Sequence, residues 1–190
     1  MLREAKKKKV AWGITGGGDK LTETFGVMKK LEDKYEERAE IWVYLSKAGE
    51  HVAKVYGILD DLKSKFDKIL VEFSSNVPFL AGQLQAGKFE FLLVAPTTSN
   101  SVAKLAVGIT DTMLCNAAIM GLKARVPVYV MPTDFRVGDV LTRLPDGRKL
   151  TLRTRAEDVD NVEKLRKMEG LAVINGPEKI GAIFEKYFGV

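Results

Sequence analysis

The sequence predicts an α/β fold, a three-layer sandwich in which a mainly parallel sheet lies between helices and a β-hairpin protrudes. Three observations carry this reading. Short apolar runs alternate along the chain with segments whose apolar residues fall at helical spacing, a pattern that calls for right-handed crossovers and parallel strands. The runs VAWGIT, IWVYL and FLLVA are nearly continuous in apolar residues, as strands covered on both faces should be. One region departs from this. Val140 to Leu144 and Lys149 to Arg153 alternate apolar and polar residues around Pro145-Asp146-Gly147-Arg148, and Asp-Gly in that setting signals a hairpin.

In order, Val10 to Thr15 reads as the first strand and runs into Gly16-Gly17-Gly18. Leu21, Phe25, Met28 and Leu31 recur at helical spacing within a helix from Leu21 to Arg38. Ile41 to Leu45 is a second strand of β-branched and aromatic residues; Ser46-Lys47-Ala48-Gly49 follows, and Glu50 to Lys65 reads as one helix. Lys68 to Phe73 is a third strand with a thinner pattern, and a short helix near Phe79 to Gln85 leads to the fourth strand, Phe89 to Ala95. After Pro96 come Thr97, Thr98, Ser99, Asn100 and Ser101, and then a helical pattern reaching Leu122. Gly108 and Asp111 divide that pattern, Gly108 ending one helix and Asp111 capping the next. Pro127 to Met131 is the fifth strand, followed by Pro132-Thr133-Asp134. Beyond the hairpin, Ala156 to Met168 is a charged amphipathic helix, Leu171 to Ile174 a last short strand, and Pro177 to Phe188 a closing helix with proline in its first turn. The expectation is one domain over residues 1–190, with a hairpin arm at about 140–153 used for subunit contact rather than chemistry.

Composition bounds the function. With 46% apolar residues, the 190-residue chain can bury a substantial core, yet no apolar run approaches the ~20 residues of a membrane span. The amino-terminal MLREAKKKKVAWG lacks a signal-peptide pattern, so a cytoplasmic protein is expected. Cys115 and His51 are the single cysteine and histidine, which rules out an internal disulfide and the usual clustered zinc or iron–sulfur ligands. Any redox chemistry then falls to an organic cofactor. The formal charge is +5, with Lys6 to Lys9 read as a solvated tail. No basic stretch is interleaved with aromatics, so nucleic acid is not an expected partner.

Three polar loops share one sheet edge: Gly16 to Gly18, Ser46, and Thr98 to Ser101. The glycine loop is neither GxGxxG, because Leu21 fills the last position, nor a P-loop, because Asp19 stands where lysine is required. Loops beyond the carboxyl ends of parallel strands hold ligands, and a helix N-terminus holds anions. Small, mostly uncharged linings suit a flat neutral ring with a phosphate tail. His51 reads as structural or exposed, and Cys115 as an inert buried thiol.

These residues resemble a family. ITGGG, LSKAG and APTTSNSVAKLAVGITDTMLCNA are similar to the FMN-binding flavoprotein superfamily that includes phosphopantothenoylcysteine and lantibiotic-peptide decarboxylases and the flavin prenyltransferases. The likeness spans roughly Val10 to Asp134. WGITGGGDKL, PFLAGQLQAGKFEFLLVAPTTSNSVAK, and LPDGRKLTLR followed by EDVDNVEKLRKMEG look most like archaeoflavoprotein and the dihydromethanopterin reductases. The resemblance implies a Rossmann-like (flavodoxin-like) fold and an FMN-dependent oxidoreductase. It implies a homo-oligomer reduced by ferredoxin or another acidic redox protein, either an electron carrier or a reductase of dihydromethanopterin. FMN contacts are implied at Gly16, Gly17, Gly18, Ser46, Thr98, Ser99, Asn100, Ser101 and Thr133. Two relatives fit less well. Pro78 to Lys88 lacks the decarboxylases' histidine, and Thr133-Asp134 replaces the Arg-Glu usual in prenyltransferases, which also often carry serine where Gly18 stands.

Overall fold

A computed structural model describes residues 7–189. The chain opens with β1 (Lys8–Ile14), α1 (Leu21–Lys34), β2 (Ala39–Leu45), α2 (Lys47–Val55), α3 (Leu59–Lys65) and β3 (Lys68–Val71). Next come α4 (Leu80–Gln85), β4 (Phe91–Thr97), α5 (Ser99–Val107), α6 (Met113–Lys123) and β5 (Val128–Pro132). The hairpin β6 (Gly138–Arg143) and β7 (Lys149–Thr154) precedes α7 (Ala156–Arg166), β8 (Leu171–Val173), a 3₁₀ turn at Pro177–Lys179 and α8 (Ile180–Phe188). Six strands form one parallel sheet in the order β3-β2-β1-β4-β5-β8, and β6 and β7 pair antiparallel apart from it. The α/β sandwich with a separate hairpin is therefore the fold.

Strand periodicity sorts the core into two layers. Val10, Trp12, Ile14, Phe91, Leu93 and Ala95 join α1, α3 and α8 residues such as Met28, Leu62 and Phe184 on one face. Ala11, Leu92, Val94, Val128 and Val130 meet Leu84, Leu105, Ala117 and Leu165 from α4 to α7 on the other. Successive residues thus point to opposite faces, which is why these runs had to be apolar throughout. Among the described residues no helix is long and apolar enough to cross a membrane.

The structure corrects several boundaries. The helix expected over Glu50 to Lys65 is two, because Gly57 between them has φ +71, a left-handed value glycine adopts without steric cost. The first of these begins at Lys47, since Ser46 Oγ caps it by accepting from Gly49 N at 2.9 Å. The first helix ends at Lys34 rather than Arg38. Gly108 does end α5, at φ +77, but Thr112 rather than Asp111 caps α6, and Asp111 instead pairs with Lys104 at 2.9 Å. Nor are Lys8 and Lys9 a free tail. They lie in β1 and pair with Glu90 and Glu40 at 3.3 and 3.5 Å; Lys6 lies outside the described residues.

Candidate functional site

The chain winds from β1 outward to β2 and β3, then returns to β4 and winds the other way to β5 and β8. The carboxyl ends of β1 and β4 therefore flank the switch point, where open parallel sheets form their ligand crevice. Thr15 fastens its two sides together. Its hydroxyl donates to Pro96 O and accepts from Thr98 N, both at 2.9 Å, and Thr15 N donates to Pro96 O at 3.2 Å. On the β5 side, Thr133 N donates to Thr97 O at 3.0 Å. The loops after β1, β4 and β5 are thus held against one another.

The loop after β4 opens α5. Thr98 is the N-cap, its hydroxyl accepting from Ser101 N at 3.4 Å and donating to Ser101 Oγ at 3.2 Å, while Val102 N reaches Thr98 O at 2.9 Å. The first two N–H groups of a helix have no intrahelical acceptor, so those of Ser99 and Asn100 project from the positive end of the helix dipole. Asn100 is exposed there. This donor set fits an anion, with charge met by dipole and N–H rather than by a cation.

Opposite lies the glycine loop, packed closely against its neighbours. A Cβ would meet Ala48 Cβ at 2.7 Å from Gly16 and Thr133 Cγ2 at 3.0 Å from Gly17, while from Gly18 it would meet the Tyr56 hydroxyl, the mobile end of a side chain. Bare backbone here lets the loops after β1, β2 and β5 converge. Ser46, at the end of β2, uses an oxygen lone pair as a helix cap and keeps a proton to donate.

Not all of the predicted hydroxyls are equivalent. Ser99 Oγ donates to Asp134 Oδ2 at 2.5 Å, Thr133 Oγ1 to the same oxygen at 2.7 Å, and Thr154 Oγ1 to Asp134 Oδ1 at 3.1 Å. One carboxylate thereby joins α5, the β5 loop and the base of β7. Ser99 offers an anion its backbone N–H, since its hydroxyl proton is directed to Asp134.

Beside this knot is a cavity of about 250 Å³ lined by Gly17, Gly18, Asp19, Tyr56, Thr133 and Asp134 and roofed by the hairpin. Val140 pairs with Leu152 and Thr142 with Leu150, so the strand alternation places these four residues on one face, and all of them line the cavity. Burial pushes the Asp19 carboxyl above its ordinary range; Glu23 and Asp134 add to the rise and Lys20 opposes it. The hairpin thus forms one side of this cavity, with Leu150 and Leu152 still exposed to solvent. Sequence reading missed Asp19, Tyr56, Asp134 and this wall, although the apolar stripe Val140, Leu144, Leu150, Leu152 was itself a signal that the hairpin covers something.

Glu72, His51 and Cys115 do not line this cavity. Glu72 accepts Met113 N at 2.7 Å and Lys47 N at 3.3 Å, joining the N-termini of α6 and α2. His51 is exposed on α2, and Cys115 is buried in α6, with burial the main cause of its raised pKa.

The chain is similar to known proteins in sequence and fold. The chain is 47% identical to an uncharacterised protein of Methanocaldococcus jannaschii over 182 residues, covering 96% of this chain and 97% of that one. It is 35% identical over 146 residues to a dihydromethanopterin reductase (acceptor) of the same organism, a match covering 72% of this chain and 58% of the longer reductase. Among solved structures, DmrB of Burkholderia xenovorans in complex with FMN, described as a cubic protein cage for redox transfer, superposes with a TM-score of 0.80 at 31% identity over 95% of each chain. The family known as Flavoprotein matches residues 1–186, and the chain belongs to that flavoprotein family.

Proposed function

We propose that the chain binds FMN and carries electrons, accepting them from ferredoxin or another acidic redox protein and passing them to a downstream acceptor. The observation that carries this is the side-chain-free glycine loop facing the N-terminus of α5 across the β1/β4 crevice. The N–H groups of Ser99 and Asn100 and the hydroxyls of Ser101 and Ser46 hold the phosphate, with Thr98 orienting Ser101 through its own hydroxyl, and Gly16, Gly17 and Gly18 let backbone approach the flavin, with Thr133 at its side. FMN, when bound, supplies the one- and two-electron chemistry; the chain positions it and excludes water. Residues 1–190 act as one FMN-binding domain. The cubic assembly of DmrB supports a homo-oligomer here as well.

The visible spectrum is the first test. Purified protein should show a flavin band or regain one with added FMN; failure of both overturns the reading. A net charge of +5 should steer an acidic donor, so reduction by ferredoxin should slow at least about tenfold as salt shortens the Debye length from ~30 Å at 0.01 M to ~3 Å at 1 M. A rate independent of salt removes the steering. The hairpin-roofed cavity and the reductase relative favour a second reading, in which the acceptor is a pterin such as dihydromethanopterin and the protein turns it over. Anaerobic assay of the reduced protein with dihydropterin decides between carrier and reductase.

A further inference from the structure

The hairpin holds most of the chain's net charge. From Arg136 to Arg155 the sequence sets six arginines and lysines against Asp139 and Asp146, a net +4 within a chain of +5. Two of these cations are matched, Arg148 by Asp146 at 2.7 Å and Arg155 by Asp158 at 2.6 Å. Lys149 and Arg153 form no ion pair among the described residues. Strand alternation turns Val140, Thr142, Leu150 and Leu152 toward the cavity. It turns Asp139, Leu141, Lys149, Thr151 and Arg153 the other way, and these five are all exposed. Leu141, 59% exposed, stands in this outer face where β6 passes Lys20 at the start of α1.

We propose that the outer face of the hairpin is the docking surface for the acidic electron donor, with Lys149 and Arg153 meeting its carboxylates and Leu141 covered at the contact. An apolar residue beside unmatched cations suits such a partner: charge guides the encounter, and the covered apolar contact holds it. The same charge disfavours a second copy here, because an isologous contact would set +4 against +4. Stacked sheet layers lie ~10 Å apart, so a donor seated on this face is a single ribbon's thickness from Gly17, Gly18 and Thr133 beneath it. The inference rests on the donor reading of the proposed function and adds where that donor binds.

The experiment follows anaerobic reduction of the FMN-loaded full chain by reduced ferredoxin in a stopped-flow instrument, with dithionite as a small reductant that needs no docking surface. Lys149→Glu with Arg153→Glu should slow the ferredoxin reaction at least about tenfold at low salt and flatten its salt dependence. Lys149→Gln with Arg153→Gln, which puts no second carboxylate opposite Asp139, should slow it about threefold. Lys29→Glu with Lys30→Glu makes the same change in net charge on α1, where both lysines are exposed, and should slow it less than about twofold. Leu141→Ser should slow it while leaving the salt dependence as in the wild type. Dithionite should reduce every variant at the wild-type rate. Equal slowing by the α1 pair and the hairpin pair would mean steering by net charge alone and overturns the docking surface. A loss with dithionite that matches the loss with ferredoxin also overturns it, and so do hairpin variants that elute as a smaller assembly, since the face then belongs to a second copy. If ferredoxin does not reduce the wild type, the donor reading falls and the surface with it. A wild type reduced by ferredoxin beside hairpin variants reduced equally fast removes the surface alone.

Discussion

The polar end of the crevice and its hairpin-roofed end meet at Gly17 and Thr133, yet the chain assembles them in opposite ways. At the polar end one contiguous segment, Thr98 to Ser101, supplies cap, hydroxyls and N–H groups within a single helical turn. At the roofed end Asp19, Tyr56, Asp134 and Leu152 come from four separate parts of the chain and become neighbours only through folding. The first end is local chemistry that any strand–loop–helix of this sequence would produce. The second exists only when the hairpin docks, and Asp134 is its fastening.

That contrast can be broken most sharply at Asn100. An aspartate in the first turn of α5 suits the helix dipole, so Asn100→Asp should fold at least as stably as the wild type. A second negative charge about 5 Å from a phosphate costs about 3 kcal/mol at an effective dielectric of about 20. FMN affinity should then drop on the order of 100-fold, read by flavin fluorescence titration, with melting temperature preserved. Unaltered affinity would show that the phosphate lies elsewhere.

This difference in construction also explains what was legible beforehand. The sheet could be read because strands buried on both faces must be apolar without interruption, as VAWGIT and FLLVA are. The Gly108 break was readable because a left-handed helix end favours glycine. Thr98 to Ser101 could be read because capping is a sequence-local property. Gly57 carried the same kind of signal and was overlooked in a run of otherwise helical residues. Asp134 was beyond reach. Its role depends on Ser99 and Thr154, 35 and 20 residues away, and nothing in local spacing links them. Asp19 looked only like a misfit to the P-loop pattern, since its burial is created by Tyr56 and the hairpin.

A smaller effect is expected at the fastening itself. Asp134→Ala removes three hydrogen bonds to a charged acceptor; the half-buried Ser99 and Thr133 hydroxyls can turn to water, whereas that of the buried Thr154 is left unmatched. The net loss should be about 2–3 kcal/mol, a fall of roughly 4–12 °C in melting temperature at this chain length. Because the hairpin is released while the helix cap is not, FMN affinity should weaken less than in Asn100→Asp. If FMN binding is lost as completely, the two ends are one cooperative unit and the contrast fails.

The smallest expected effect separates the ends by pH. The roofed end holds a carboxyl, Asp19, whose folded pKa is raised, while the Thr98 to Ser101 turn holds no acid. A second raised carboxyl lies far from both, Glu32 on α1, which burial pushes up to about 7 against the Ile41 N–H and Lys65, with Oε2 buried and unpartnered. An unfolded glutamate releases its proton near 4.5, so between there and about 7 the folded state binds more protons. Stability must therefore fall as pH rises through that window and stay reduced above it. In full such a shift corresponds to roughly 3 kcal/mol, and partial exposure of the group brings it to about 1 kcal/mol. Glu32→Gln should remove that slope, making the variant about 1 kcal/mol more stable than wild type at pH 8 and nearly equal at pH 4.5 in urea unfolding. Asp19→Asn in the Glu32→Gln background should then flatten what remains, which begins at lower pH because Asp19 titrates from 3.8 upward. A residual slope surviving both substitutions would place the pH-sensitive group outside the roofed end.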